Sequence, residues 1–219
     1  MVAEQGFSWW LDRLARMFDL YDYVRLDHFI GFSSYYGILQ GKTALDGSWY
    51  FGPGKALFQA AYDKFGPLPL IAEDLGTISP AVRALAAEVG APGMAVVQFA
   101  DSDVRKEFHP APGTIAFTGT HDTATILEWV ETHFGLVDPE AHKLAAELCA
   151  RVVSSSADVA ILPLQDVLLL GVEGRMNRPG VASGNWSWRA NVQAVMAVSD
   201  RLAHLVELHK NRGENRDNA

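Results

Sequence analysis

Three acidic side chains stand at the ends of apolar runs, and each is a candidate for chemistry. The first run, Val24-Arg25-Leu26-Asp27-His28-Phe29, reads as a buried strand that stops on a carboxylate. Arg25 and Asp27 lie two positions apart, so on a strand their side chains share a face. There the guanidinium favours ionised Asp27 by opposite charge and hydrogen bonding, which suits a nucleophilic or charge-stabilising carboxylate at neutral pH. An isolated Arg-x-Asp is more often a structural ion pair. Two further runs shift that balance: Leu70-Ile71-Ala72-Glu73-Asp74-Leu75-Gly76, and the β-branched stretch from Thr114 that ends at Thr120-His121-Asp122. Three strands thus each deliver a carboxylate at the carboxyl end, with helix-like segments between them. That is the layout of a (β/α) barrel, whose chemistry sits at those strand ends.

Other chemistries do not fit. The seven histidines lack metal-ligand spacing such as H-E-x-x-H. Gly52-x-Gly54 lacks the third glycine of a dinucleotide loop, and the stretch from Gly180 to Gly184 is not G-x-S-x-G, so Ser183 is no elbow nucleophile. Neither a metal nor a cofactor is expected.

Four stretches in order, RLDHF, IAEDLG, the Gly-Thr-His-Asp ending at Asp122, and RMNRPG followed by ASGNWSWR, resemble the amylomaltases, or 4-α-glucanotransferases, of the α-amylase clan. The resemblance runs from about Trp9 to Arg189. It implies that Asp27 takes the nucleophile's place and forms a covalent glycosyl intermediate. It implies that Glu73 is the acid/base and that Asp122 is a third carboxylate holding sugar hydroxyls, with His121 and Arg25 as polar neighbours. Retaining glycoside chemistry needs two carboxyls about 5–5.5 Å apart, one ionised and one protonated. Ile71 and Leu75 offer Glu73 an apolar setting that would favour its neutral form. Asp74 is its rival: adjacent strand residues face opposite sides, and spacing alone leaves the choice between the two open. The family pattern selects Glu73. At Ala124 the sequence departs from the family, where an acidic residue usually stands, so the support of His121 and Asp122 is expected to differ.

The positioning elements follow from periodicity. Apolar residues at three- and four-residue spacing predict a helix over 7–20, leading into the Arg25-Asp27 strand. A glycine- and aromatic-rich loop spans 31–54, with Asp46-Gly47 as a turn signal. Its aromatic faces could stack on glucose rings, and Tyr36 and Trp49 are the candidate platforms; His28 and Asn185 complete the candidate substrate contacts. Helices are predicted over 55–65 and 80–89, the latter with Ser79 as cap, Pro80 in the first turn and Gly90 as stop. Strands at 93–100 and 159–164 and helices at 124–133, 139–154 (capped by Asp138) and 192–208 follow, with Glu173, Arg175, Asn177, Asn185, Trp186 and Trp188 in the last loop.

Composition sets the bounds. A chain of 219 residues, 49% hydrophobic, can bury a core and is expected to be one domain over 1–209 with a polar tail over 210–219. A net charge of -8 argues against nucleic acid and anionic membranes, and no apolar run reaches the roughly 18 residues of a span. The single Cys149 and the lack of a signal peptide suit the reducing cytoplasm. Five predicted strands fall short of a barrel of about 250 residues. By the resemblance the fold class is α/β, a partial (β/α)8 TIM barrel of strands 4 to 8 with their helices. A complementing N-terminal polypeptide would supply the rest. The expected substrates are α-1,4-glucans and maltodextrins, transferred by double displacement; a hydrolase of the same clan and a catalytically incompetent remnant are the alternatives.

Overall fold

The structure is a computed structural model that describes residues 6–100 and 102–216, with side chains to residue 210. It is mixed α/β and divides into two compact units, residues 1–94 and 95–219.

In the first unit, α1 (Ser8–Phe18) precedes β1 (Val24–Leu26), and a short α2 (Ile30–Ser33) leads into a hairpin of β2 (Ser34–Gly37) and β3 (Ser48–Phe51). Then come α3 (Gly54–Phe65), β4 (Leu70–Ala72) and α4 (Pro80–Val89). β1 and β4 are parallel partners, with Val24, Arg25 and Leu26 opposite Leu70, Ile71 and Ala72. Their apolar faces and the inner stripes of the helices bury one core, in which Leu14, Phe29, Leu57, Phe58, Leu70 and Val82 meet. Phe29 and Phe58 stack with centroids 5.6 Å apart. α4 starts and stops as its sequence dictates: the Ser79 hydroxyl accepts from the Val82 N–H at 3.4 Å, and Gly90 closes the helix at φ 71°. The predicted loop over 31–54 contains a hairpin around its turn signal, in which consecutive aromatics pair across the strands, Tyr35 with Tyr50 and Tyr36 with Trp49. Its connection is wider than a two-residue turn, since Thr43 and Asp46 cap each other in a 3-10 turn before Gly47.

In the second unit, β5 (Met94–Val96), which begins at the boundary, β6 (Ile115–Phe117) and, after α5 (Ile126–Phe134) and α6 (Glu140–Val153), β7 (Val159–Ile161) form one sheet in the order β5-β6-β7, with β6 and β7 parallel. α7 (Leu164–Val167), α8 (Val192–Ala197) and α9 (Ser199–Arg216) complete it. α6 carries the core stripe: Ala141, Leu144, Ala145, Leu148, Cys149 and Val152 are buried against Ala116, Ile126 and Val130. Asp138 does not cap α6, as the sequence predicted; Pro139 holds the cap position, and the Asp138 carboxylate lies 2.9 Å from His142 Nδ1. The single predicted helix over 192–208 is broken at Val198, and α9 runs on to Arg216, past the predicted start of the tail; residues 217–219 lie outside the described residues. Among the described residues no helix is long and apolar enough to cross a membrane.

Candidate active site

In the first unit the ends of β1 and β4 bring Arg25, Asp27, His28 and Glu73 together. The parallel ladder continues past Leu26 and Ala72: Glu73 N–H donates to Leu26 O at 3.0 Å. The next rung slips by one residue. His28 turns into the left-handed region at φ 50°, an uncommon conformation for a residue with a Cβ. Phe29 N–H therefore takes Glu73 O at 3.0 Å, and the released His28 N–H donates to Glu73 Oε2 at 2.7 Å. Leu75 N–H reaches Oε1 at 3.2 Å. Leu75 thus meets Glu73 through a backbone donor, a contact that side-chain character alone could not reveal.

Asp27 is exposed, and Arg25 Nη1 donates to its Oδ1 at 2.7 Å. Arg25 Nε in turn donates to Sδ of Met94, the last residue of the first unit, at 3.4 Å. Asp74 accepts the Met94 N–H at 2.8 Å. A Cβ on Gly93 would collide with that carboxylate, so glycine is needed there for close approach.

Tyr36 and Trp49 are neighbours on the hairpin, edge to face with centroids 5.4 Å apart. The Tyr36 hydroxyl donates to Ala44 O at 2.8 Å.

The second unit builds a separate cluster around Asp122. Asn177 Nδ2 donates to Asp122 Oδ1 at 2.6 Å, and His121 Nε2 lies 3.4 Å from Oδ2. Trp186 covers the His121 ring at 5.4 Å. Asn185 does not reach this cluster by any hydrogen bond; its carboxamide accepts the Arg178 N–H at 3.0 Å and donates to Val181 O at 2.9 Å, closing the loop that carries Asn177. Where Ala124 replaces the expected acid, support comes through the backbone: Gln98 Nε2 donates to Ala124 O at 2.9 Å and to Thr118 O at 3.1 Å.

Two buried acids escaped the sequence. Asp166 accepts the Thr118 hydroxyl and, at 2.7 Å, the Ile126 N–H, so it ties the end of β6 to the start of α5 on either side of His121-Asp122. Burial pushes its carboxyl up to about 6, against the lowering effect of those two donors. It lines a cavity of about 140 Å³ with His121, Thr123 and Arg175. Glu128, also buried, sits on α5 against Arg175 and Arg178. An acid on the apolar face of Ile126, Leu127 and Val130 was its only signal in the sequence. Among the described residues no group of three or more His, Cys, Asp or Glu is arranged to hold a metal ion.

The family described as 4-alpha-glucanotransferase matches residues 1–194. The chain is 42% identical to the 4-alpha-glucanotransferase of Synechocystis, over 94% of this chain and 44% of that protein. It is 40% identical to that of Thermus thermophilus, over 92% and 47%. The chain therefore spans about half the length of the curated relatives it matches. Its fold is similar to that of the amylomaltase from Streptococcus agalactiae solved in complex with acarbose, with a TM-score of 0.82, 32% identity, and coverage of 97% of this chain and 46% of that one.

Proposed function

The chain belongs to the 4-alpha-glucanotransferase family, and on that premise we propose that it carries the catalytic carboxylates of a retaining α-1,4-glucan transferase. The observation that carries this reading is the placement of Asp27 and Glu73 at matching positions on the ends of two paired parallel strands. Neighbouring strands lie about 4.8 Å apart. Side chains leaving from such positions can reach the separation of about 5–5.5 Å that a retaining mechanism needs.

In the first half-reaction Asp27 attacks the anomeric carbon while Glu73 protonates the departing glycosidic oxygen. In the second, Glu73 takes the proton of an acceptor 4-hydroxyl, whose oxygen displaces Asp27 and restores the α linkage. Arg25 engages one oxygen of Asp27 and leaves the other for the sugar. Asp74, committed to Met94 N–H, is the poorer candidate for the acid/base role. Asp122, held by Asn177 beside His121, supplies the carboxylate that grips sugar hydroxyls. Tyr36 and Trp49 offer stacking faces, and His28 contributes through the turn that orients Glu73.

On the same reading the chain provides strands four to eight of a (β/α)8 barrel with their helices. An N-terminal polypeptide, equivalent to the part of the relatives that this chain does not span, completes it. The outer edge of β7 supports this: Val159 and Ile161 are 45% and 41% exposed, which is unusual for apolar residues of a strand in a core sheet. The lone buried Cys149 thiol suits a reducing, cytoplasmic setting.

Incubation of the folded chain with maltotriose, alone and with such a polypeptide, tests the proposal. Glucose together with longer maltodextrins is the expected result. Glucose without longer products would make it a hydrolase. No product from either folded sample would favour the non-catalytic remnant, the reading suggested by the half-length match.

A further inference from the structure

We propose that Glu128 is a positioning residue for Asp122, acting through the loop that carries Asn177. Glu128 is only 8% exposed, yet two guanidinium groups converge on its Oε1, Arg175 Nη1 at 3.1 Å and Arg178 Nη2 at 3.2 Å. These two arginines bracket Asn177 in sequence. Arg175 Nε also donates to Asn177 O at 3.2 Å, so the same side chain that holds Glu128 fixes the backbone of Asn177. The loop is closed further on by the Trp186 N–H to Met176 O bond at 2.8 Å and by the Asn185 carboxamide.

The other end of the clamp is equally anchored. Glu128 N–H donates to the Thr125 hydroxyl at 3.2 Å in the first turn of α5, three residues after Asp122. Thr125 Oγ1 itself donates to Gly171 O at 3.1 Å, which ties this turn to the start of the arginine-bearing segment. One carboxylate thus sets the distance between the helix start that follows Asp122 and the loop that brings the Asn177 amide to it. A buried ion cluster of this kind is a weak source of net stability, because desolvation offsets its Coulombic gain, but it fixes one geometry among several. Glu128 Oε2 is buried without a hydrogen-bond partner among the described residues. That leaves the arrangement resting on Oε1 alone. The inference rests on the transferase reading only in giving Asp122 a sugar to hold, and its test involves no glucan, so either can fail without the other.

The test is the side-chain amide signal of Asn177 in nitrogen–proton correlation spectra of the full chain, identified by its loss in Asn177→Ala. In the unaltered protein it should be slow to exchange, and Asp122→Asn marks where it falls without the carboxylate. Glu128→Gln keeps an oxygen for the arginines and removes the charge. We expect the Asn177 signal to move toward the Asp122→Asn position and to exchange about tenfold faster, while α6 amides such as Leu148 and Val152 keep their protection. Arg178→Gln, at a side chain 44% exposed, should shift the signal in the same direction and decides the matter if Glu128→Gln does not fold. An unchanged Asn177 signal, or an equal acceleration in α6, would overturn the proposal.

Discussion

His28 gives its backbone N–H to Glu73 at 2.7 Å because its own left-handed turn has taken that group out of the β1–β4 ladder. With Leu75 N–H on the other oxygen, both acceptors of Glu73 are engaged by backbone donors. In Glu73→Gln one donor must face an NH2 group. Unfolding in urea should show a loss of about 1–3 kcal/mol, and transfer from maltotriose should fall by about 10²–10⁴-fold. Full activity with unchanged stability would remove Glu73 from its role.

Asp74 and Gly93 form the control for that assignment. Asp74→Asn retains an oxygen for Met94 N–H and should keep transfer within a few-fold of the unaltered chain, about 1 kcal/mol or less in barrier. Gly93→Ala drives a Cβ into the Asp74 carboxylate and should destabilise by about 1–3 kcal/mol in urea unfolding.

The pH dependence of stability should report Asp166. Its folded value of about 6 lies above the ordinary carboxylate value of 3.8. Its contribution is therefore fully present below the unfolded value and is lost as pH rises through 6. The shift corresponds to about 3 kcal/mol, withdrawn between roughly pH 4 and pH 7. Asp166→Asn removes the titration. The stability of the unaltered chain relative to this variant, from urea unfolding at successive pH values, should decline by about that amount over the window and stay level above it. A flat difference would contradict the burial argument.

Trp49 is 69% exposed on the hairpin, so Trp49→Ala should cost little stability beyond its edge-to-face contact with Tyr36, about 0.5–1.5 kcal/mol. If its face stacks on a glucose ring, KM for maltodextrins should rise about tenfold with kcat changed less. An unaltered KM would leave Trp49 a hairpin residue only.

The strand starts were legible because an apolar run is a local pattern: β1, β4 and β6 begin at Val24, Leu70 and Ile115, but each stops before its acid, β6 already at Phe117, so that Asp27, Glu73 and Asp122 stand in the segments that follow. The limits of α4 were legible for the same reason, since Ser79, Pro80 and Gly90 act on their own neighbours. The hairpin was half legible; Asp46 marked a turn, but cross-strand pairing of Tyr35 with Tyr50 depends on register. What the sequence could not give are partnerships set by the fold. Asp166 meets Thr118 across 48 positions and Glu128 meets Arg175 across 47, and no periodicity links such pairs. Asn177 was visible as a polar loop residue, whereas its bond to Asp122 was not.

Covalent trapping tests the central assignment most directly. The Glu73→Gln chain, combined with the polypeptide that completes the barrel, is given α-maltotriosyl fluoride, whose leaving group needs no acid, and the digested protein is mapped by mass spectrometry. The account predicts a maltotriosyl ester on Asp27, absent in the Asp27→Asn, Glu73→Gln double variant. A label on Asp74 or Asp122, or no label in a folded sample that binds maltodextrin, would contradict it.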